Sequence, residues 1–231
     1  MTSANTLPSF DPFDPRDIPV VGVDDHLPKV QANALQPQAL AHRFKHPPIW
    51  TPELKGEPRF SDRTPVHASV LVPLVMHDQG LTVLLTERTT HLSSHSGQIA
   101  FPGGKADPDD ASATDTALRE AEEEIGLDRH YVEVLGSLPT YTTSSAYIVT
   151  PVVVLVRADY VMALNPHEVA DAFEVPLDFL MDPANHRRHA VEWAGARREW
   201  FSMPFHDATA ERFIWGATAA MLRNFYRFLA S

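Results

Sequence analysis

Hydrophobic positions divide the chain into a weakly patterned N-terminal part and a longer part with clear strand and helix patterns. Residues 1–65 are rich in Pro, Asp and Gln and show little apolar periodicity, although 30–44 has some helical character. From residue 66 onward, β-branched and leucine-rich runs alternate with polar connections. We therefore predict a partly ordered N-terminal extension over 1–65 and one folded domain over 66–231.

Apolar runs in the second part have the length and composition of β-strands. The first two, 67–76 and 81–86, flank the polar stretch 77–80, which predicts a hairpin. The remaining predicted strands are 131–138 and 148–156, with a late hairpin of 189–193 and 199–203. Helices are predicted at 112–125 and 213–229, and within 175–180 a short helix is predicted to begin after Pro176. Strands and helices mixed in this order predict a layered α/β or α+β domain.

The helix predicted over 112–125 has a clear end signal. Gly126 supplies a left-handed stop, and Leu127 is available to pack back on the last turn. Its apolar positions form one stripe that would dock on the sheet: Ala113, Ala117, Ala121 and Ile125.

Composition excludes several classes of function. The chain has no cysteine, so thiolate metal sites and cysteine nucleophiles are absent. A formal net charge of -11 argues against general binding to a nucleic-acid backbone. No apolar run is long enough to span a membrane and no secretory leader is evident, so we expect a cytoplasmic protein with no membrane partner. The sequence does not distinguish a monomer from a homodimer.

Three carboxylates are predicted to share one face of the 112–125 helix. At about 100° per residue, Glu120, Glu123 and Glu124 fall within an arc of about 100°, whereas Glu122 points almost the opposite way. In a partly buried site, repulsion between carboxylates about 4 to 6 Å apart reaches several kcal/mol. Such crowding requires compensating positive charge.

Two sources of positive charge are available. Arg119 lies four residues before Glu123 and can form an ion pair with it. A divalent cation is the second source, because Mg2+ is held by one or two carboxylates and completes its shell with water and phosphate oxygens. The alternative, a solvated acidic helix face, usually interleaves Lys with Glu, but no basic residue follows Arg119 until Arg129.

Residues 103–127 resemble the Nudix box, Gx5Ex7REUxEExGU, in which U is aliphatic. The matching positions are Arg119, Glu120, Ala121, Glu123, Glu124, Gly126 and Leu127. Counted from Gly104, the spacing to Arg119 is one residue longer than this pattern, and Asp110 occupies the early Glu position. The lengthened loop is similar to that of coenzyme A pyrophosphatases within the family.

A second segment resembles the signature of that coenzyme A group, LLTxR(S/A)x3Rx3Gx3FPGG. Leu84-Leu85-Thr86-Glu87-Arg88, Gly97 and 101–104 agree in spacing. Thr89 replaces Ser or Ala, and Ser93 stands where the pattern has Arg. The family likeness covers about 67–229 and leaves the first 65 residues unexplained.

The resemblance implies an α/β (α+β) fold of the Nudix type, an α/β/α sandwich with a mixed β-sheet. It further implies a hydrolase that uses Mg2+ or Mn2+ to cleave a small nucleotide substrate, here coenzyme A or acyl-CoA. The implied metal ligands are Glu120, Glu123, Glu124 and Gly104. The implied catalytic residues are Arg119, Glu120, Glu123 and Glu168. The implied substrate-binding residues are Arg88, Gly103, Gly104 and His95.

Several alternatives remain open. Glu168 can instead be a charge at the N-terminus of a helix formed by the VADAF segment, Arg88 a surface arginine, and His95 a structural residue. Ser93 leaves room for ADP-ribose, a dinucleotide or a nucleoside triphosphate as the substrate. A Nudix fold that binds nucleotides without turnover is a third possibility, although an intact Arg119 and carboxylate cluster argue against it.

Overall fold

The computed structural model describes residues 14–58, 64–89, 97–193 and 196–231. The α-helices within these ranges are α1 (Pro37–Lys45), α2 (Ala113–Ile125), α3 (Leu177–Leu180) and α4 (Gly216–Ala230). The strands are β1 (Val20–Val23), β2 (Val66–His77), β3 (Gly80–Arg88), β4 (Ile99–Ala100), β5 (Gly103–Lys105), β6 (Val132–Ser137), β7 (Tyr141–Thr142), β8 (Tyr147–Arg157), β9 (Val169–Pro176), β10 (Arg187–Trp193), β11 (Ala196–His206) and β12 (Glu211–Trp215). Short 3-10 helices lie at Pro15–Asp17, Ala32–Leu35, Arg129–Tyr131 and Pro183–Asn185.

The larger sheet is mixed, as predicted. Its main order is β4-β3-β2-β8-β6, with β5 beside β2, β7 beside β8 and β9 beside β3. The central pair, β2 and β8, is parallel, whereas β3, β5 and β6 join it in antiparallel pairs. The first hairpin closes with His77 opposite Gly80, which confirms the predicted connection at 77–80.

Helices cover both faces of this sheet. Alternate residues of β2 point to opposite sides, so that Leu71 and Val75 join the core beneath α2, whereas Val72 and Leu74 join the core that also holds residues of α4. Apolar residues on both faces explain why β2 and β8 read as continuous hydrophobic runs. The predicted α/β/α sandwich is confirmed.

A smaller antiparallel sheet has the order β1-β10-β11-β12. It contains the predicted late hairpin, since β10 pairs with β11. The predicted start of the last helix at Phe213 is wrong. Phe213 and Ile214 lie in β12, where they pair with Pro204 and Met203, and the helix begins at Gly216. A short apolar run beside a helix does not reveal its own conformation, and here strand pairing decides it.

Residues 169–176 correct a second interpretation. The segment after Glu168 is strand β9, which pairs antiparallel with β3 from Thr82 to Arg88. Glu168 is therefore not an N-terminal charge on a helix, and that alternative is wrong. Tertiary pairing overrides the modest helix propensity of this Ala- and Glu-containing segment.

Described residues before position 65 pack into the same core as the rest of the molecule. Val30, Leu35 and Leu40 are buried among residues of the larger sheet and α4. The buried guanidinium of Arg223 in α4 lies 2.7 Å from Asp24 and 2.8 Å from Glu53. The boundary at residue 65 stays a prediction, but residues 14–58 already share core and ion pairs with the C-terminal helix.

The described part of the chain contains no helix that is both long and apolar enough to cross a lipid bilayer.

Candidate functional site

Helix α2 is fixed at both ends, and this sets the direction of its acidic residues. The Ser112 hydroxyl accepts a hydrogen bond from the Asp115 main-chain N–H at its start, and Gly126 ends it with φ of 68°. Leu127 is buried beyond the stop, as predicted. Because Ala121 and Ile125 are fully buried against the sheet, the carboxylates beside them face the loop that precedes β5.

Glu124 is the most deeply buried carboxylate of the site, with 3% of the residue exposed. Its Oε2 accepts a hydrogen bond of 3.1 Å from the Gly103 main-chain N–H, and its Oε1 lies 3.6 Å from Nη1 of Arg88. Burial raises the pKa of Glu124 to about 7, and negative charge on Glu168 and Glu120 adds to this effect. The hydrogen bond and Arg88 offset part of that increase in pKa.

Glu120 lies against the main chain of Gly104. A Cβ atom built on Gly104 would be 2.4 Å from Oε2 of Glu120 and 2.5 Å from its carboxyl carbon, closer than atoms can approach. The missing side chain of Gly104 therefore makes room for this carboxylate. Burial also raises the pKa of Glu120, whereas the neighbouring Arg119 lowers it.

Arg119 is held by contacts on several sides. Two hydrogen bonds of 2.9 Å bind it to both oxygens of Asp110, and a third of 3.2 Å reaches the Lys105 carbonyl. Its Nη1 donates to Glu120 at 3.0 Å and to Glu123 at 3.2 Å, which includes the ion pair expected from the four-residue spacing. The Arg119 hydrogen bonds hold the pKa of Asp110 far below its usual range.

Asp110 is a positioning residue whose role the sequence did not reveal. In the sequence it is recognisable only as the substitute for the early Glu of the motif. By anchoring Arg119, it fixes the direction in which that arginine presents Nη1 to Glu120. The signal for this role in the sequence is that Asp110 occupies the motif position at which the family pattern has Glu.

Glu123 differs in depth from the other two carboxylates of the predicted face. Its side chain is 56% exposed, compared with 16% for Glu120 and 4% for Glu124. The helical arc places the three in one direction but does not report how deeply each is buried. Glu123 thus lies at the rim of the site, and Glu122 is exposed elsewhere on the helix.

Glu168 approaches the same site from the residue before β9. Its Oε1 accepts a hydrogen bond of 3.1 Å from the Asn165 side chain, and its carbonyl accepts one of 3.0 Å from the Thr89 N–H. The Asn165 main-chain N–H in turn donates to the Glu124 carbonyl at 2.9 Å, which ties this loop to the end of α2. Glu168 is close enough for its charge to raise the pKa of Glu120 and Glu124. No pattern of residues around Asn165 predicts this role.

The predicted substrate-binding residues are partly described. Gly103 and Gly104 form the start of β5 beside the carboxylates, and Arg88 ends β3 with 29% of its side chain exposed. His95 and the substituted position Ser93 lie outside the described residues.

The donor groups fit a hard divalent cation. Glu120 and Glu124 supply carboxylate oxygens, and Gly104 has no Cβ to block an ion that approaches its main chain. Within the described ranges no group of three or more His, Asp or Glu side chains is arranged as a ready-made metal site. Mg2+ takes one or two carboxylates from a protein and its other ligands from water and phosphate.

Comparison with known proteins provides evidence for the family that does not depend on the geometry of the site. The model of the NUDIX domain family matches residues 65–203. Proteins named uncharacterized Nudix hydrolase NudL, from Yersinia pestis and Yersinia pseudotuberculosis, are 42% identical over 157 residues, covering 68% of this chain and 76% of theirs. Among solved structures, a Nudix hydrolase from M. smegmatis, RenU, is 21% identical with a TM-score of 0.43, covering 50% of this chain and 73% of its own.

Members of this family generally use divalent metal ions and act on small nucleotide substrates. The family model spans more than half of the chain, and the Yersinia relatives cover more than two thirds of it. The chain therefore belongs to the Nudix hydrolase family, which acts on pyrophosphate bonds.

Proposed function

We propose that this protein is a Mg2+- or Mn2+-dependent pyrophosphohydrolase of coenzyme A or acyl-CoA. The products would be adenosine 3′,5′-bisphosphate and phosphopantetheine or its acylated form. The observation that carries the chemistry is the pair of carboxylates, the partly buried Glu120 and the buried Glu124, set against the Gly103–Gly104 main chain. The choice of substrate rests on the spacing of residues 84–104, which resembles the coenzyme A signature.

Glu120 and Glu124 would hold the divalent ions, with the Gly104 main chain beside them and Glu123 at the rim. When bound, such ions neutralise the diphosphate and the charge that builds as water attacks phosphorus. Arg119 contributes by fixing Glu120, since Asp110 and the Lys105 carbonyl restrain its guanidinium.

Glu168 is the general base that the contacts favour. Glu120 and Glu123 each use a carboxylate oxygen to accept a hydrogen bond from the Arg119 guanidinium, whereas the carboxylate of Glu168 has the neutral Asn165 amide as its hydrogen-bond partner. A base must accept the proton of the attacking water, so we expect Glu168→Gln to lower kcat more than Glu123→Gln does, with KM less affected. Equal losses in the two variants would remove this preference.

Nucleotides other than coenzyme A form a second class of candidate substrates, because Ser93 replaces the arginine of the coenzyme A signature. If that arginine contacts an anionic group of coenzyme A, a different nucleotide is the better substrate. ADP-ribose, dinucleotides and nucleoside triphosphates keep the same chemistry. Binding without turnover is disfavoured, since a site that only binds has no need for a crowded and partly buried carboxylate group.

The test is Mg2+-dependent hydrolysis of coenzyme A measured beside ADP-ribose and dinucleotides, with product identification. Glu124→Gln should lose nearly all activity and stay folded, because the change removes a buried negative charge. Glu122→Gln is the matched control, as it makes the same change on the exposed side of α2 and should keep wild-type activity. Turnover of ADP-ribose but not coenzyme A would overturn the substrate, and unaltered turnover in Glu124→Gln would overturn the role of Glu124.

A further inference from the structure

Two arginines supply positive charge to the carboxylates, and they are held in different ways. Arg119 is bound by Asp110, Glu120, Glu123 and the Lys105 carbonyl. Among the described residues, the guanidinium of Arg88 has one such contact, the ion pair of 3.6 Å with Glu124. That separation is too long for a hydrogen bond, so the contact between Arg88 and Glu124 is a loose one.

The main chain of Arg88 is nevertheless fixed. Its N–H donates to the Gln98 carbonyl at 3.0 Å, and its carbonyl accepts from the Gly97 N–H at 3.2 Å. It also pairs with Val169 where β3 meets β9. Only the flexible side chain can therefore move, and it stays close to the carboxylates of the site.

Charge makes Arg88 and a divalent ion competitors for Glu124. The side chain of Glu124 is 4% exposed, so water can do little to stabilise its charge, and a nearby cation favours the ionised carboxylate. Arg88 provides that cation when no divalent ion is bound. A divalent ion held by Glu120 and Glu124 would add a second positive charge near the guanidinium and would repel it.

We infer that Arg88 is an exchangeable counter-ion: it pairs with Glu124 before a divalent ion binds, then releases Glu124 and turns to the substrate diphosphate. This inference rests on the proposed function and adds to it a coupling between binding of the ion and binding of the nucleotide. Arg88 opposes binding of the ion alone and favours binding of the nucleotide. Ion and nucleotide should therefore bind cooperatively, and the coupling should depend on the charge of residue 88.

The experiment measures Mn2+ affinity by electron paramagnetic resonance, first with Mn2+ alone and then with adenosine 3′,5′-bisphosphate present. Arg88→Met removes the charge and keeps much of the side-chain length, whereas Arg88→Lys keeps the charge. Arg129→Met is the matched control, because it makes the same change in net charge at an exposed ion pair with Asp115. Thermal unfolding establishes that each variant is folded.

Arg88→Met should bind Mn2+ alone about tenfold more tightly than wild type, because the variant has no positive charge at Glu124 for the divalent ion to displace. It should bind the bisphosphate more weakly and lose most of the coupling. Arg88→Lys and Arg129→Met should stay close to wild type. Unchanged or weaker Mn2+ binding by Arg88→Met overturns the inference while leaving the proposed function intact. Failure of the wild-type protein to bind Mn2+ overturns both.

Discussion

Gly104→Ala tests whether the position of the Glu120 carboxylate governs catalysis. The new Cβ would lie 2.5 Å from the carboxyl carbon of Glu120, whereas ordinary contact begins at 3.4 Å. The carboxylate must therefore shift by about 1 Å, a displacement that costs on the order of a hundredfold in rate. Gly104 has a negative φ and the clash is with the end of a flexible side chain, so the free energy of unfolding should change by less than about 1 kcal/mol.

Gly103→Ala is the contrasting variant. Its Cβ would lie 2.4 Å from the Ser69 carbonyl oxygen and 2.6 Å from the Val70 Cα, and these main-chain atoms cannot move aside without disturbing β2. We expect this variant to lose about 2 kcal/mol or more of stability. The assays are kcat for Mg2+-dependent hydrolysis and unfolding in urea. Wild-type kcat in a folded Gly104→Ala protein would refute the reasoning.

Two further predictions concern the buried network around α4. Arg223→Met should lower the free energy of unfolding in urea by about 2 kcal/mol, because it removes the buried guanidinium and leaves Asp24 and Glu53 with only the partly exposed Arg188 and Arg227; an unchanged midpoint would contradict this. His186 is fully buried with its Nδ1 facing Arg223, and burial lowers its pKa from 6.5 to about 4. Since protonation is then disfavoured in the folded state, its contribution to stability is complete above about pH 6.5 and decreases by about 3 kcal/mol as pH falls toward 4. A His186→Gln variant should lose that part of the pH dependence, and an identical pH profile in the two proteins would contradict the assignment.

Local signals explain the parts of the fold that the sequence predicted well. Helix α2 was located to within a residue because Ser112 caps its start and Gly126 stops it with positive φ. The long strands β2 and β8 were recognised because both of their faces are buried, which leaves a continuous apolar run. Each signal is carried by residues adjacent in sequence.

The errors arise where distant residues decide the conformation. Strand β9 forms because it pairs with β3, although its residues, taken alone, are as compatible with a helix as with a strand. Phe213 and Ile214 continue the apolar pattern of α4, yet pairing with β11 makes them a strand. The N-terminal segment shows little periodicity, but Leu40 reaches the core and Glu53 meets Arg223 across the fold. No local pattern contains these contacts.

The candidate site shows the same division. Spacing on a helix placed Glu120, Glu123 and Glu124 in one direction and paired Arg119 with Glu123. Spacing did not show that Glu124 is almost fully buried while Glu123 is mostly exposed, because the depth of Glu124 depends on its contacts with β3 and β5, which are distant from it in sequence. The role of Asp110 and the approach of Glu168 depend on loop conformation, which the residue pattern does not encode.

Anomalous diffraction from a crystal soaked in Mn2+ together with adenosine 3′,5′-bisphosphate tests the central claim most directly. The account predicts Mn2+ peaks about 2 Å from carboxylate oxygens of Glu120 and Glu124, next to the Gly104 main chain and in contact with phosphate oxygens. Glu120 and Glu124 side chains that bind no ion, at a Mn2+ concentration that supports full hydrolysis, would contradict it.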